Sequence, residues 1–257
     1  MTSDGPFDTR DPYRFALITV DLDDTLWPCA PVIRAAEAAL YAWLTEQTPR
    51  LAATHDPLSL REHRRAWMQT RPEIAHDVTA LRRDALRTLM IEHDYPAGLA
   101  EHAMEVFRRA RNRVEPYADV APVLAQLRRR SRLVAVTNGN AEVQETPLRH
   151  AFDRVLTAAE AGAMRPDPAL FELAMDWSGA EPWQTLHIGD DPVRDVEAAQ
   201  RIGLTAVWIN RDGLQWPPDL DPPAHSVTDL HGLLAWLDEP GPAAASIGAA
   251  PGYTDAV

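Results

Sequence analysis

Phe15-Ala-Leu-Ile-Thr-Val20 runs directly into Asp21-Leu-Asp23-Asp24-Thr25, and the reading of this junction decides the fold. Six mostly apolar residues, rich in β-branched side chains, read as a central parallel strand buried on both faces. Two carboxylates then stand at its carboxyl end, where open α/β sheets bind their ligands. A carboxylate at the tip of a buried strand is desolvated unless a cation or a proton compensates it, so the junction asks for a metal ion and an anionic, phosphate-like substrate.

Further strand-like runs occur at 132–137, around 154–156, at 185–188 and at 204–209, with helical patterns at 119–131, 168–178 and 193–202 between them. Strands alternating with helices of this length indicate βαβ units and a parallel sheet. The interval from about 29 to 115 breaks the alternation. Segments 31–48, 58–70, 73–94 and 97–113 all read as helices with no strand between them, and Pro28, Pro31 and Pro116 mark the edges. The expected organisation is therefore an α/β core of residues 1–28 and 114–238, an inserted all-helical cap at 29–113, and a disordered tail at 239–257, where Pro, Gly and Ala replace large apolar residues.

A chain of 257 residues buries roughly 70 to 75% of its unfolded surface and needs no covalent staples. The one cysteine, Cys29, has no internal partner, and the N-terminus carries charges where a secretory signal would be apolar. The expectation is a cytoplasmic protein that does not enter a membrane. The formal net charge of -13 opposes sequence-independent binding of nucleic acid. All 25 basic residues are arginine. Acids and arginines nearly balance between 29 and 115, where five of the nine histidines also fall, so the acidity that suits a divalent cation lies outside the helical insertion, and the Arg/His-rich insertion suits an anionic substrate.

Four polar clusters follow strand-like runs in order: Asp21/Asp23/Thr25, Thr137-Asn138-Gly139-Asn140, Arg165-Pro-Asp167, and Gly189-Asp190-Asp191 with Asp195. The ends of parallel strands converge on one crevice, so groups distant in sequence meet there. Two carboxylates about 4 Å apart repel by about 4 kcal/mol at an effective dielectric near 20. A hard cation with oxygen ligands offsets that, and Mg²⁺ held by one or two carboxylates plus substrate phosphate is the usual solution.

These four clusters together resemble the motifs of the haloacid dehalogenase superfamily. The resemblance implies a Rossmann-like core with a helical cap after the first strand, and an Mg²⁺-dependent phosphatase working through an aspartyl-phosphate. It implies Asp21 as nucleophile and Asp23 as general acid and base. It also implies phosphate contacts from Asp21, Leu22, Asp23, Thr137, Asn138 and Arg165, and a metal site of Asp21, the Asp23 carbonyl and Asp190, with Asp195 coordinating directly or from behind. The third motif usually supplies lysine, and here the residue is Arg165, which keeps the charge but changes the shape. With no lysine anywhere in the chain, a general drift to arginine with activity retained is the expectation. The same absence excludes a phosphonatase with a lid lysine, a receiver domain and a P-loop. Asp23 argues against dehalogenase chemistry, which lacks that second carboxylate in the family.

Pro31-Val-Ile-Arg, Pro72-Glu-Ile-Ala-His-Asp77-Val-Thr, Thr137-Asn-Gly-Asn-Ala141, Leu186-His-Ile-Gly-Asp-Asp191 and Val207-Trp-Ile are similar to one branch of that superfamily. Its members are bacterial phosphatases of flavin mononucleotide (FMN) and of the riboflavin-pathway intermediate 5-amino-6-(5-phospho-D-ribitylamino)uracil. On this resemblance Glu73, His76 and Asp77 would bind ribityl hydroxyls or ring edges, and Trp27 would stack on a flat ring. The partner expected is a small phosphorylated metabolite. A phosphatase of another sugar phosphate or nucleotide, or a catalytically silent relative that binds a phosphometabolite or protein, are the competing readings. The oligomeric state is not legible.

Overall fold

The computed structural model describes residues 15–239. Residues 1–14 and nearly all of the tail expected to be disordered lie outside the described residues. Six strands form one sheet: β1 (Leu17–Val20), β2 (Arg132–Thr137), β3 (Arg154–Thr157), β4 (Thr185–Gly189), β5 (Thr205–Ile209) and β6 (His225–Val227). All neighbours pair in parallel in the order β3-β2-β1-β4-β5-β6. After β1 the chain builds one side of the sheet, then returns to build the other from β4. The reversal of direction therefore lies between β1 and β4, and such switch points open a crevice at the carboxyl ends of the strands.

Successive side chains of β1 point to opposite faces, which explains why the whole strand is apolar. Ile18 and Val20 join a core with α6 (Val120–Leu127) and α10 (Leu230–Asp238), through Val123, Leu124, Leu230 and Leu233. Leu17 joins the opposite core with Val134 and Val136 of β2 and with Leu170 and Phe171 of α8 (Ala169–Ser178). Burying each such side chain contributes about 1.5–3 kcal/mol. Two short helices, α7 (Ala158–Ala161) and α9 (Ala198–Arg201), complete this layer.

Five helices lie between β1 and α6: α1 (Cys29–Gln47), α2 (Pro49–Thr54), α3 (Pro57–Gln69), α4 (Val78–Glu92) and α5 (Leu99–Arg111). They close on a hydrophobic cluster of their own, in which Leu40 and Leu44 of α1 meet Leu86 and Leu89 of α4 and Met104 and Phe107 of α5. The continuous helix expected over 73–94 is interrupted. Residues 72–74 make a single tight turn, and the Asp77 carboxylate accepts the N–H groups of Thr79 and Ala80, so α4 starts at Val78. Helix α2, strand β6 and helix α10 were not expected from the periodicity. The three-residue His225-Ser-Val227 is too short to alternate visibly. The expected helix over 193–202 is a wide π-type turn, Pro192–Glu197, followed by α9.

Candidate active site

The crevice beyond β1 and β4 collects the four polar clusters. Val20 stands opposite Ile188, and Asp21 donates its N–H to the Ile188 carbonyl at 2.9 Å. That register carries Asp21 and Asp190 to the same end of adjacent strands. Asp21, Asp190 and Asp195 bring carboxylate oxygens within 4.8 Å of one another. Gly189 permits this closeness, because a Cβ there would sit 2.3 Å from the Asp195 carboxylate. A pocket of about 270 Å³ opens above them, lined also by Asp23, Thr137 and Arg165.

Arg165 organises the charge. Its two terminal nitrogens donate to different carboxylates, one to Asp21 and one to Asp195, and all three residues are buried. Its backbone is pinned on both sides by one side chain, since Arg165 donates its N–H to Asn138 Oδ1 at 2.8 Å and accepts from Asn138 Nδ2 at 2.9 Å. Asn138, expected to touch phosphate, lines the pocket, and both ends of its side-chain amide are committed to Arg165. Burial would raise the Asp195 carboxyl, but Arg165 and His187 hold it at about 2. The Asp191 N–H also donates to Asp195 Oδ2 at 2.8 Å, so both oxygens of Asp195 are engaged by protein. Burial, assisted by repulsion from Asp195, Asp190 and Asp23, raises Asp21 well above the ordinary carboxylate range against the pull of Arg165. Asp190 is raised to about 7, first by burial and then by Asp195, and its one bond to a side chain is from the Thr25 hydroxyl at 3.0 Å.

His187, on β4, lies fully buried beneath this pair. The Thr19 hydroxyl donates to the Leu186 carbonyl at 3.3 Å and meets His187 Nδ1 at 2.9 Å. The other ring nitrogen, Nε2, lies 3.4 Å from Asp195 Oδ1 and 3.5 Å from Arg165 Nη1. Burial lowers the proton affinity of the ring, in keeping with a neutral imidazole.

Asp23 is held from two sides. The Trp27 indole N–H donates to Asp23 Oδ1 at 2.9 Å, and Arg111 Nη2 lies 2.8 and 2.6 Å from its two oxygens. Trp27 is 0% exposed, which corrects the expectation that it stacks on a flat ring: its ring fills the core, and its N–H fixes the orientation of a carboxylate. Arg111 was not anticipated. It closes the last turn of α5 on the stripe formed by Ala103, Met104, Phe107 and Ala110. An arginine at a core position of an amphipathic helix needs a buried carboxylate, and that is the signal the sequence did carry. Gly139 leaves room for the pair, since a Cβ there would lie 2.8 Å from Asp23 Oδ2.

The Thr137 hydroxyl accepts the Gly139 N–H at 2.9 Å, which leaves its own proton free to point into the pocket. Leu22 is buried in the core, so only its main chain can meet a ligand. The Arg194 guanidinium lines the rim and pairs with Asp191 at 2.7 Å. Glu73, His76 and Asp77 do not line the pocket. Their segment nevertheless approaches it, because Asn140 donates to the Thr79 hydroxyl at 3.1 Å. Asp77 caps α4 through Oδ1, Glu73 is exposed and His76 half-buried.

Cys29 also lines the pocket, half-buried, and burial followed by the negative charge of Asp23 pushes its thiol up to about 12. Only the thiolate is a nucleophile. Alkylation of native protein by iodoacetamide at pH 8 is therefore expected to run roughly a thousandfold slower than in urea, where the thiol returns to about 8.5; mass spectrometry of timed samples measures both rates.

The donor set suits a hard divalent cation. Asp190 has no ion-pair partner among the described residues, and Asp21 gives one oxygen to Arg165 and keeps the other, so these two carboxylates would hold Mg²⁺. Asp195, with both oxygens engaged, would serve as the anchor behind them.

Residues 15–203 match the haloacid dehalogenase-like hydrolase family. The chain is 34% identical over 201 residues to the 5-amino-6-(5-phospho-D-ribitylamino)uracil phosphatase YigB of Escherichia coli (strain K12), covering 76% of this chain and 84% of that protein. It is 35% identical over 129 residues to a phosphoserine phosphatase of Thermus thermophilus, covering 48% of this chain and 52% of that one. Among solved structures, a 2-haloacid dehalogenase from Pseudomonas syringae pv. Tomato superimposes with a TM-score of 0.82 at 36% identity, over 87% of this chain and 98% of that one.

Proposed function

The chain belongs to the haloacid dehalogenase-like hydrolases and is a phosphoric monoester hydrolase, and from that premise we propose that it is an Mg²⁺-dependent phosphatase of 5-amino-6-(5-phospho-D-ribitylamino)uracil or FMN. The observation that carries the chemistry is the double grip on Asp23 by Trp27 and Arg111, beside an Asp21 held by Arg165. One carboxylate is thereby aimed as a nucleophile and a second is oriented for proton transfer.

In this reading the Asp21 carboxylate attacks phosphorus, the bond from phosphorus to the leaving oxygen breaks, and Asp23 delivers a proton to that oxygen. Asp23 then takes a proton from the water that hydrolyses the aspartyl-phosphate, so one hard step becomes two easier ones. Arg165 aims Asp21 and opposes the burial that raises its carboxyl, and the Thr137 hydroxyl donates to a phosphoryl oxygen. Bound Mg²⁺ supplies charge neutralisation at the transferring group. Arg194 meets the anionic substrate at the rim, while Glu73 and His76, outside the pocket on the segment before α4, are the cap residues assigned to ribityl hydroxyls that extend beyond it. The helical insertion acts as a cap that excludes water. The substrate rests on the identity to the Escherichia coli phosphatase over most of both chains. The single cysteine suits the reducing cytoplasm.

Phosphate release should be measured from FMN, the ribitylaminouracil phosphate, sugar phosphates and nucleotides, with Mg²⁺ or with chelator, alongside chloride release from 2-chloropropionate. The expected result is turnover of the ribityl phosphates that chelator removes and added Mg²⁺ restores. Preference for another phosphate would discard the riboflavin assignment and keep the mechanism. Chloride release without phosphate release would assign dehalogenation, and silence on every substrate would assign a binding role.

A further inference from the structure

A second polar site lies inside the helical insertion, and none of the residues around it lines the catalytic pocket. Three arginines face one carboxylate there. Glu37 of α1 accepts from Arg61 of α3, and its other oxygen is 3.9 Å from Arg64 and 4.0 Å from Arg82 of α4. The Arg82 side chain is only 9% exposed. Its guanidinium lies 3.8 Å over the Phe107 ring, and its Nε has no hydrogen-bond partner among the described residues. His63 Nε2, on the wall of the same cavity, is also buried without a partner. Glu37 thus leaves two positive charges of this cluster uncompensated, and the unmet polar atoms are nitrogens.

The remaining wall is apolar, from Leu40, Leu60, Leu86 and Leu89. The cavity measures about 30 Å³, room for about two water-sized groups, and is too small for a phosphoryl group with its five heavy atoms. Burial pushes Arg82 down to about 9, and the neighbouring Arg64 adds to that, so the guanidinium still carries its charge at neutral pH. Arg82 shares its one carboxylate with two other arginines, and a buried polar atom without a hydrogen bond is costly, so a small acceptor relieves Arg82 Nε and His63 together. We propose that the helical insertion contains a binding site for one small monovalent anion, a halide or a carboxylate group, formed by Arg82, Arg61, Arg64 and His63 around Glu37.

The test is the ³⁵Cl linewidth of chloride titrated into the full chain and into Arg82→Met. Methionine is of similar length, and Glu37 keeps Arg61 and Arg64 when Arg82 is replaced, so no carboxylate is left unpaired and the variant is expected to fold. The wild type is expected to show a saturable broadening that Arg82→Met loses. Reversal by acetate would extend the site to carboxylates, and resistance to acetate would restrict it to halides; either result supports the site. Identical broadening in both proteins would overturn it. Should the variant fail to fold, a bromide soak of wild-type crystals decides: anomalous density beside Arg82 Nε is expected, and density confined to surface arginines, or none, overturns the proposal.

Discussion

Asp21→Asn is expected to lower phosphate release by about 10⁴-fold or more while leaving the fold intact, because loss of a covalent nucleophile removes a whole reaction path and not one contact. The side chain is buried at the carboxyl end of β1, with one oxygen on Arg165 and with Asp190, Asp195 and Asp23 close enough to repel it. Asparagine preserves the volume and can still accept from Arg165. It removes one of the charges that crowd the site, so the midpoint of thermal unfolding should stay level or rise. Activity and stability are therefore expected to move apart, and that divergence separates a chemical role from a structural one. Single-turnover phosphate release with the preferred substrate and a thermal melt of the same sample measure both. Turnover retained to within a factor of about ten would exclude Asp21 as the attacking group and would point to direct attack by a water that Asp23 deprotonates.

The legible and illegible parts of this site divide along physical lines. Asp21, Thr137, Arg165 and Asp190 could be placed from sequence because each lies at or soon after an apolar run, and parallel topology sends all such ends to one crevice. The helical insertion was equally plain, since a long stretch with a helical period interrupts an alternating pattern. Arg111 stands on the core stripe of α5, which calls for a buried partner, but that partner, Asp23, lies 88 residues away and nothing local says which carboxylate it is. Trp27 was misread for the converse reason: an aromatic residue beside a catalytic loop suggests stacking, and only the packing of Val32, Val114 and Leu26 in the same core shows it sealed off. His187 belongs to an apolar strand, where a histidine looks like an ordinary core residue until Arg165 and Asp195 are found next to it. The break in the expected 73–94 helix turned on one side chain, because Asp77 Oδ1 caps α4 at its first turn.

Arg165→Met is expected to destabilise the protein by roughly 3–5 kcal/mol, the range for removing one partner from a buried ion pair, and to abolish turnover. In the native site one guanidinium answers two buried carboxylates through different nitrogens. Without it, Asp195 retains His187 and the Asp191 N–H, whereas Asp21 is left facing Asp190 and Asp195. Arg165→Lys separates the need for charge from the need for shape. An ammonium keeps the charge and three donors but is a point and not a planar fork, so it must settle between the two carboxylates instead of reaching each with its own nitrogen. Asn138 still fixes the backbone at this position, so the lysine starts from the same place. Turnover is expected to stay within about tenfold of the wild type, with stability between that of wild type and of Arg165→Met. Urea unfolding and kcat on the preferred substrate test both variants. A gain in kcat well beyond tenfold for Arg165→Lys would mean that the arginine fork restrains the nucleophile. A loss approaching that of Arg165→Met would mean that two separate prongs are required, and the arginine would then be a specific feature of this site and not a consequence of a chain without lysine.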